Sequence, residues 1–192
     1  MQKGKKPLRS KTQLKAKAPL KAKAGLKKVE SLKKSTSLSK VSRKPRDEWG
    51  VREYKKEATK YFNRAVKYRD SEEVDGKWIF NCITCDRRVL FSYIDEKGDR
   101  RYVRTAHAGH FMPETRNNTR YDEENVNGQC GSCNYNQGEQ YRYALALDLK
   151  YGTGKAAELE KLSKIPKQFT IQELLEIIAD SKEQIRFYEK EA

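Results

Sequence analysis

The chain has few apolar residues, and this shortage limits what it can be. Only 36% of its 192 residues are hydrophobic, the same fraction as is charged. That composition leaves little material for a large core, and it favours one domain with unpacked appendages. No apolar run approaches the roughly 20 residues that cross a bilayer, and no signal-peptide core is present. We therefore expect a soluble, intracellular protein.

Acidic residues are almost absent from the first 46 positions. Residues 1–46 contain 17 Lys and Arg against the single acid Glu30, a net charge of +16, whereas the rest of the chain contains 25 basic and 26 acidic residues. The segment is also repetitive, as in LKAKAPLKAKAGLKK at 14–28, and prolines interrupt any helix. Because its like charges repel one another and phosphates relieve that repulsion, we predict a disordered arm that tethers DNA. A tail that only aids solubility is the alternative.

The remaining segment, 47–192, predicts an α+β domain. Three stretches favour helices: one at 47–69 with an aromatic stripe that packs in a core, one from about Asn134 to Gly152, and one that begins at Thr170 with the capping-box pattern TIQE.

A β-hairpin is predicted between the first two of these helices. RRVLFSYI (87–94) and RRYVRTAH (100–107) flank DEKGD, a turn that contains glycine. The second strand of this predicted hairpin ends at His107.

The four cysteines form two Cys-x-x-Cys pairs, CITC (82–85) and CGSC (130–133). This spacing lets both thiolates of one pair bind a single ion, and two such zinc knuckles complete a tetrahedral shell. Disulfides are unexpected in a reducing compartment, and a redox motif needs no second copy, while an iron–sulfur cluster remains an open alternative. The predicted ligands of a structural Zn²⁺ are Cys82, Cys85, Cys130 and Cys133.

The only two histidines, His107 and His110, lie together in AHAGHF (106–111). Four cysteines saturate a zinc ion, so neither histidine is needed there. Asparagines and carboxylates crowd the same region, and such ligands suit a hard cation such as Mg²⁺, beside which a neutral histidine can deprotonate water. His107 could instead be a strand-edge side chain, and Asn125 a turn or cap residue.

Three stretches of this region resemble the NinG (Rap) recombination endonucleases of lambdoid phages, within the HNH (His-Me finger) nucleases. They are AHAGHF, RYDEENVNGQC and CGSCNYNQGEQYRYAL, and the likeness covers about Arg46 to Gly152. The resemblance implies a zinc-stapled ββα-metal finger, built from the two predicted strands and the helix after them and flanked by further helices.

The resemblance also implies roles for individual residues. His110 takes the place of the general base at the end of the first strand, and Asn125 that of the asparagine that braces the loop and orients the base. Asn134, directly after the second knuckle, takes the position of the last ligand of a catalytic Mg²⁺ or Mn²⁺. His107 is a second candidate ligand, at a position where the resemblance leads us to expect Asp. Gly109, where many HNH enzymes place a ligand, has no side chain.

The function implied by this resemblance is structure-specific DNA cleavage. A one-metal mechanism with a histidine base would hydrolyse phosphodiester bonds in Holliday junctions, D-loops or similar branched intermediates, in the cytoplasm of the bacterial host cell. A non-catalytic zinc-ribbon module that binds nucleic acid is the alternative. The helix at 47–69 or 170–190 could form a homodimer interface that helps symmetric cutting. The candidate phosphate contacts are Arg116, Arg120, Arg142 and Lys150.

The charge of the arm leads to a first prediction. Deleting residues 1–45 removes most of the excess positive charge, so DNA affinity should fall and its dependence on salt should flatten because fewer counterions are released. The measurement is the binding constant for one duplex between about 50 and 200 mM salt, with the full and the truncated chain. Zinc content is the control and should not change. An unchanged salt slope would contradict the tethering role.

Overall fold

Six strands and five α-helices make up the part of the chain that the structure describes. The computed structural model describes residues 45–135 and 139–191, so almost all of the predicted arm lies outside the described residues. The topology is α+β, as predicted, and no helix of the described part is long and apolar enough to cross a membrane. In chain order the elements are α1 (Val51–Arg69), β1 (Ser71–Val74), β2 (Lys77–Asn81), β3 (Arg88–Ile94), β4 (Arg100–Tyr102), β5 (Ala106–His110), β6 (Val126–Cys130), α2 (Gly131–Tyr135), α3 (Gln140–Tyr151), α4 (Lys155–Ser163) and α5 (Ile171–Glu191).

The strands form two separate antiparallel sheets. β1, β2, β3 and β4 pair in chain order as a four-stranded meander, and β5 pairs with β6 in a two-stranded sheet. In the smaller sheet His110 lies opposite Val126, and Ala106 lies opposite Cys130. Because α2 follows β6 directly, the chain passes from strand to strand to helix through the region that carries both histidines and the second knuckle.

The predicted hairpin is right in its turn and first strand and wrong in its second strand. β3 pairs with β4 across the turn at 95–99, but β4 ends at Tyr102 and does not continue to His107. The chain leaves the sheet after Val103, whose N–H still donates to Phe91 O at 2.8 Å. The strand with the histidines pairs instead with β6. Every residue of β6 is buried, and its sequence VNGQC has no alternation of apolar and polar residues from which a strand could be predicted.

The first predicted helix is confirmed in its C-terminal end and in its packing. α1 ends at Arg69, but it begins at Val51 because Arg46–Glu48 forms a separate 3-10 turn. Of its predicted stripe, Ala58, Phe62, Ala65 and Val66 are buried, whereas Tyr54 and Tyr61 are half-buried and Trp49 lies before the helix. The side of α1 around Ala58 packs against α5, so the two helices suggested for a dimer interface bury apolar side chains against each other within one chain. The buried residues of this contact are Ala58, Phe169, Leu174 and Ile178.

The predicted helix from Asn134 to Gly152 is two helices. α2 begins earlier, at Gly131, and includes Asn134, while α3 ends at Tyr151 and is capped by Gly152, whose φ of 109° suits glycine, as predicted. α4, β1 and β2 were not predicted: α4 and β1 are short and mostly exposed, and β2, which buries Trp78 and Phe80, is only five residues long.

A close approach between β2 and β6 brings the two cysteine pairs together. A Cβ atom on Gly128 would lie 2.7 Å from Cδ2 of the buried Phe80 ring, so only glycine lets the strands come this near. Just beyond β2, the Ile83 N–H donates to Gly128 O at 2.9 Å. The first knuckle is therefore attached to the strand that leads into the second.

The capping box of α5 provides a second prediction. Thr170 N and Oγ1 lie 2.8 and 3.0 Å from Glu173 Oε2, and the Glu173 N–H donates to Thr170 Oγ1 at 3.2 Å. Replacing Thr170 by Ala should lower the free energy of unfolding by about 0.5–2 kcal/mol, because the first turn of α5 loses its cap. Urea denaturation of the zinc-loaded chain measures the change. Thr170→Ser keeps the hydroxyl and should match the wild type; equal losses in both variants would exclude the cap as the cause.

Candidate functional site

Four cysteine sulfurs converge on one point. The Sγ atoms of both knuckles all lie within 4.8 Å of one another, and Cys85 Sγ is 3.8 Å from Cys130 Sγ. None of the four forms a disulfide. Tetrahedral zinc with Zn–S bonds of about 2.3 Å requires sulfurs about 3.8 Å apart, so the arrangement fits a zinc ion.

Backbone hydrogen bonds shape the first knuckle. The Cys82 N–H donates to Arg87 O at 2.9 Å, and the Asp86 N–H donates to Cys82 O at 2.8 Å. Asp86 adopts a φ of 57°, a left-handed conformation that aspartate tolerates better than most residues. The resulting tight turn directs both sulfurs of the pair toward the second knuckle.

The pKa values of the thiols depend on their burial and on one another. Burial raises the pKa of Cys82, and burial together with the neighbouring thiols raises the pKa of Cys133. For Cys130 burial acts in the same direction, but hydrogen bonds from the Cys133 N–H and the other thiols outweigh it and lower the pKa. Four thiolates this close repel one another, so the deprotonated set needs a cation at its centre.

His110 lies at the end of β5 with its ring held against a backbone carbonyl. Its Nε2 is 3.2 Å from Arg120 O, and its Nδ1 is 3.9 Å from Glu114 Oε1. A carbonyl only accepts, so in the neutral ring Nε2 carries the proton and Nδ1 keeps the lone pair. The side chain is 8% exposed, and its burial lowers the pKa of His110 although Glu114 acts in the opposite direction. The ring is therefore neutral near pH 7.

Asn125 braces the loop that carries this carbonyl. Its fully buried side chain accepts from the Met112 N–H at 2.7 Å and donates to Met112 O at 3.0 Å and to Thr119 O at 2.8 Å. These bonds hold both ends of the loop between β5 and β6, and the carbonyl after Thr119 is the one that contacts His110. Asn125 is thus in position to orient the histidine indirectly.

Arg120 is the second brace of the same loop. Its guanidinium donates to Glu114 O at 2.6 Å, to Glu114 Oε2 at 2.9 Å and to Thr59 Oγ1 at 3.0 Å. The side chain is 16% exposed. Predicted from sequence as a phosphate contact, Arg120 connects the loop to α1 in the structure.

A pocket of about 420 Å³ brings His110 and Asn134 together. Its rim also carries Glu139, a carboxylate that sequence reasoning missed because it follows the glycine-containing segment after α2 and belongs to no recognised motif. The residues that line the pocket are His110, Phe111, Pro113, Gln129, Cys133, Asn134, Glu139, Gln140 and Tyr143.

His107 lies outside that pocket. It is the second residue of β5 and lies opposite Gln129, three residues or about 10 Å along the strand from His110. Its ring is edge-on to Tyr135, with centroids 5.1 Å apart. Burial and the nearby Lys67 lower the pKa of His107. The structure places His107 beside the start of α2 and does not bring it to Asn134 in one pocket.

Tyr143 is a positioning residue that sequence reasoning treated only as part of a helix. Its buried hydroxyl donates to Gly109 O at 2.7 Å, and from the same helix Gln140 Nε2 donates to Phe111 O at 2.6 Å. Both bonds attach α3 to the backbone on either side of His110.

The other three candidate phosphate contacts differ in their exposure and in the bonds that they make within the chain. Lys150 Nζ is bound within the chain, 2.8 Å from Asn127 Oδ1 and 3.1 Å from Asp70 Oδ1. Arg116 is exposed, and the Arg142 side chain is 66% exposed. Arg142 Nη1 also forms an ion pair with Glu139 Oε2 at 3.5 Å, so the exposed Arg116 is the better placed of the two to meet a phosphate.

A third prediction concerns the metal. The full chain should bind one zinc ion, and Cys85→Ser should lose most of it and unfold at a lower temperature, because three thiolates bind zinc more weakly than four. Metal analysis after dialysis, together with thermal unfolding, tests this. Ser132→Ala lies within the second knuckle but removes no ligand, so it should keep the zinc. Iron with visible absorbance in place of zinc would contradict the assignment.

Comparison with known proteins identifies the family. The chain matches the family described as bacteriophage lambda NinG protein over residues 2–191, nearly its full length. No curated protein and no solved structure matches it. The match extends beyond the stretch from about Arg46 to Gly152 over which the sequence resembles this family, and it includes most of the N-terminal arm. The chain therefore belongs to the NinG family, whose description is bacteriophage lambda NinG protein.

Proposed function

We propose that this NinG-family chain is a metal-dependent endodeoxyribonuclease of the HNH type that cuts branched recombination intermediates. One observation carries the proposal: His110, held neutral against Arg120 O by a loop that Asn125 braces, lines the same pocket as Asn134. The surrounding strand–strand–helix order, with four cysteines that could hold zinc at its base, agrees with a ββα-metal finger.

His110 has the properties of a general base. Burial keeps its ring neutral near pH 7, and the bond from Nε2 to Arg120 O leaves the lone pair on Nδ1. In the proposed reaction Nδ1 takes a proton from a water molecule as the water oxygen bonds to the scissile phosphorus. The bond from phosphorus to the 3′-oxygen then breaks, and that oxygen is protonated by solvent. A positioned base of this kind contributes about 10²–10⁴-fold to the rate.

The pocket offers oxygen ligands that suit Mg²⁺ or Mn²⁺. Asn134 provides an amide oxygen and Glu139 provides a carboxylate. Proteins commonly bind Mg²⁺ through one or two carboxylates, while water and substrate phosphate fill the remaining positions. When bound, the cation stabilises charge on the phosphate and on the leaving oxygen. His107, the other ligand expected from sequence, does not line this pocket, so we propose Glu139 with Asn134.

The preference for branched DNA rests on the resemblance to NinG recombination endonucleases. The exposed Arg116 and Arg142 and the basic arm provide the positive charge that DNA phosphates require.

The fourth prediction separates the two histidines. His110→Ala should reduce Mg²⁺- or Mn²⁺-dependent cleavage of a four-way DNA junction by about 10²–10⁴-fold, and added imidazole should restore part of the rate, because a small base can enter the vacated space. His107→Ala should lose much less, since His107 lies outside the pocket. Single-turnover cleavage of linear, forked and four-way DNA measures both variants, with zinc content as the folding control.

Two results would contradict the proposal. Wild-type cleavage by His110→Ala with unchanged zinc would exclude His110 as the base. Tight junction binding by the wild type without any cutting under Mg²⁺, Mn²⁺ or Ni²⁺ would identify the chain as a zinc-ribbon binding module.

A further inference from the structure

Gln129 fills the space in front of Gly109. A Cβ atom built on Gly109 would lie 2.0 Å from Gln129 Oε1 and 2.9 Å from its Cδ. A side chain at position 109 would therefore force the Gln129 amide to move from this position. The residue immediately before the proposed base therefore has no ligand of its own, and an oxygen from the neighbouring strand occupies the place where its side chain would begin.

The amide of Gln129 is held in one orientation. Its Nε2 donates to Thr84 Oγ1 at 2.7 Å, which turns Oε1 toward Gly109. Gln129 is 5% exposed and lines the pocket of His110 and Asn134. Within residues 45–135 and 139–191 no donor hydrogen-bonds to Oε1. Because the bond from this amide to Thr84 uses Nε2 only, Oε1 is available to a ligand that enters the pocket.

We propose that Gln129 Oε1 is a ligand of the divalent cation in this pocket, taking the role of the side chain that residue 109 lacks. The proposal rests on the proposed nuclease function and names a further ligand of the same site. Amide carbonyls of Asn and Gln are ordinary ligands of hard divalent cations. With Asn134 and Glu139, Gln129 completes a set of three protein oxygens around a pocket whose lining includes the base.

The two zinc knuckles position this ligand. Gln129 directly precedes Cys130, and Thr84 lies between Cys82 and Cys85. The bond from Gln129 to Thr84 therefore connects residues that are each adjacent to a zinc ligand, and binding zinc fixes both ends of it. Outer partners that orient a metal ligand commonly change metal affinity or activity by about 10–100-fold when they are removed. Thr84 is a positioning residue in this arrangement.

Gln129→Leu, Gln129→Glu and a pair of Thr84 variants test the proposal. Gln129→Leu should raise the Mn²⁺ concentration for half-maximal junction cleavage by about tenfold or more, with recovery at high Mn²⁺. Gln129→Glu keeps an oxygen at the same place and should need no more Mn²⁺ than the wild type. Thr84→Val should shift the requirement upward, whereas Thr84→Ser, which keeps the hydroxyl, should not. All variants are compared as zinc-loaded full chains.

Direct Mn²⁺ binding, followed by the electron paramagnetic resonance of free Mn²⁺, separates this proposal from the nuclease proposal. If the wild type cleaves and Gln129→Leu has the same Mn²⁺ requirement, Gln129 is not a ligand and the nuclease proposal stands. If the wild type does not cleave but Gln129→Leu weakens Mn²⁺ binding about tenfold or more, the ligand is supported and the nuclease proposal fails. Three results would overturn the ligand role of Gln129. The wild type and Gln129→Leu could bind Mn²⁺ equally, neither could bind it, or Gln129→Glu could lose as much Mn²⁺ affinity as Gln129→Leu.

Discussion

The convergence of four sulfurs within 4.8 Å is the constraint on which the rest of the site depends. It connects the turn between β2 and β3 to the junction of β6 and α2, two places far apart in the chain. The glycine at 128 permits this approach, because a side chain there would collide with Phe80. With so small an apolar fraction, the chain gains from a metal centre that can supply folding energy where the core is thin. The pocket beside His110 is built on the same junction.

Buried amides do the positioning around His110. Asn125 satisfies three backbone groups of the loop, and the adjacent carbonyl receives the ring of His110. Tyr143 attaches α3 to the other side of the strand end through Gly109 O. The Glu114 carboxylate and the Arg120 carbonyl both favour the charged ring of His110, but the burial of the side chain outweighs them and lowers its pKa. The neutral form needed for a base is therefore kept.

The proposed cation site is weakly charged for a divalent ion. Glu139 is the one carboxylate among the residues that line the pocket, and Asn134 and Gln129 contribute neutral oxygens. Such a site binds its cation modestly by itself and gains strongly when a substrate phosphate adds its charge. Metal and DNA would then enter together, and under the proposed function the basic arm would bring the DNA backbone close to this site. The four cysteines lie beside this pocket, and a zinc ion bound there would fix the position of the proposed neutral ligands.

The sequence predicted features that depend on neighbouring residues, but it did not predict which strands pair. The Cys-x-x-Cys spacing, the capping box at Thr170 and the end of α1 at Arg69 depend on residues close together in the chain, and the structure bears all three out as patterns. Only the tertiary structure decided that the histidine strand pairs with β6, that His107 lies apart from Asn134, and that Gln129 faces Gly109. β6 is fully buried although three of its five residues do not have apolar side chains, and its buried polar side chains form hydrogen bonds. Its sequence therefore has no alternation of apolar and polar residues from which its pairing with a distant strand could be predicted.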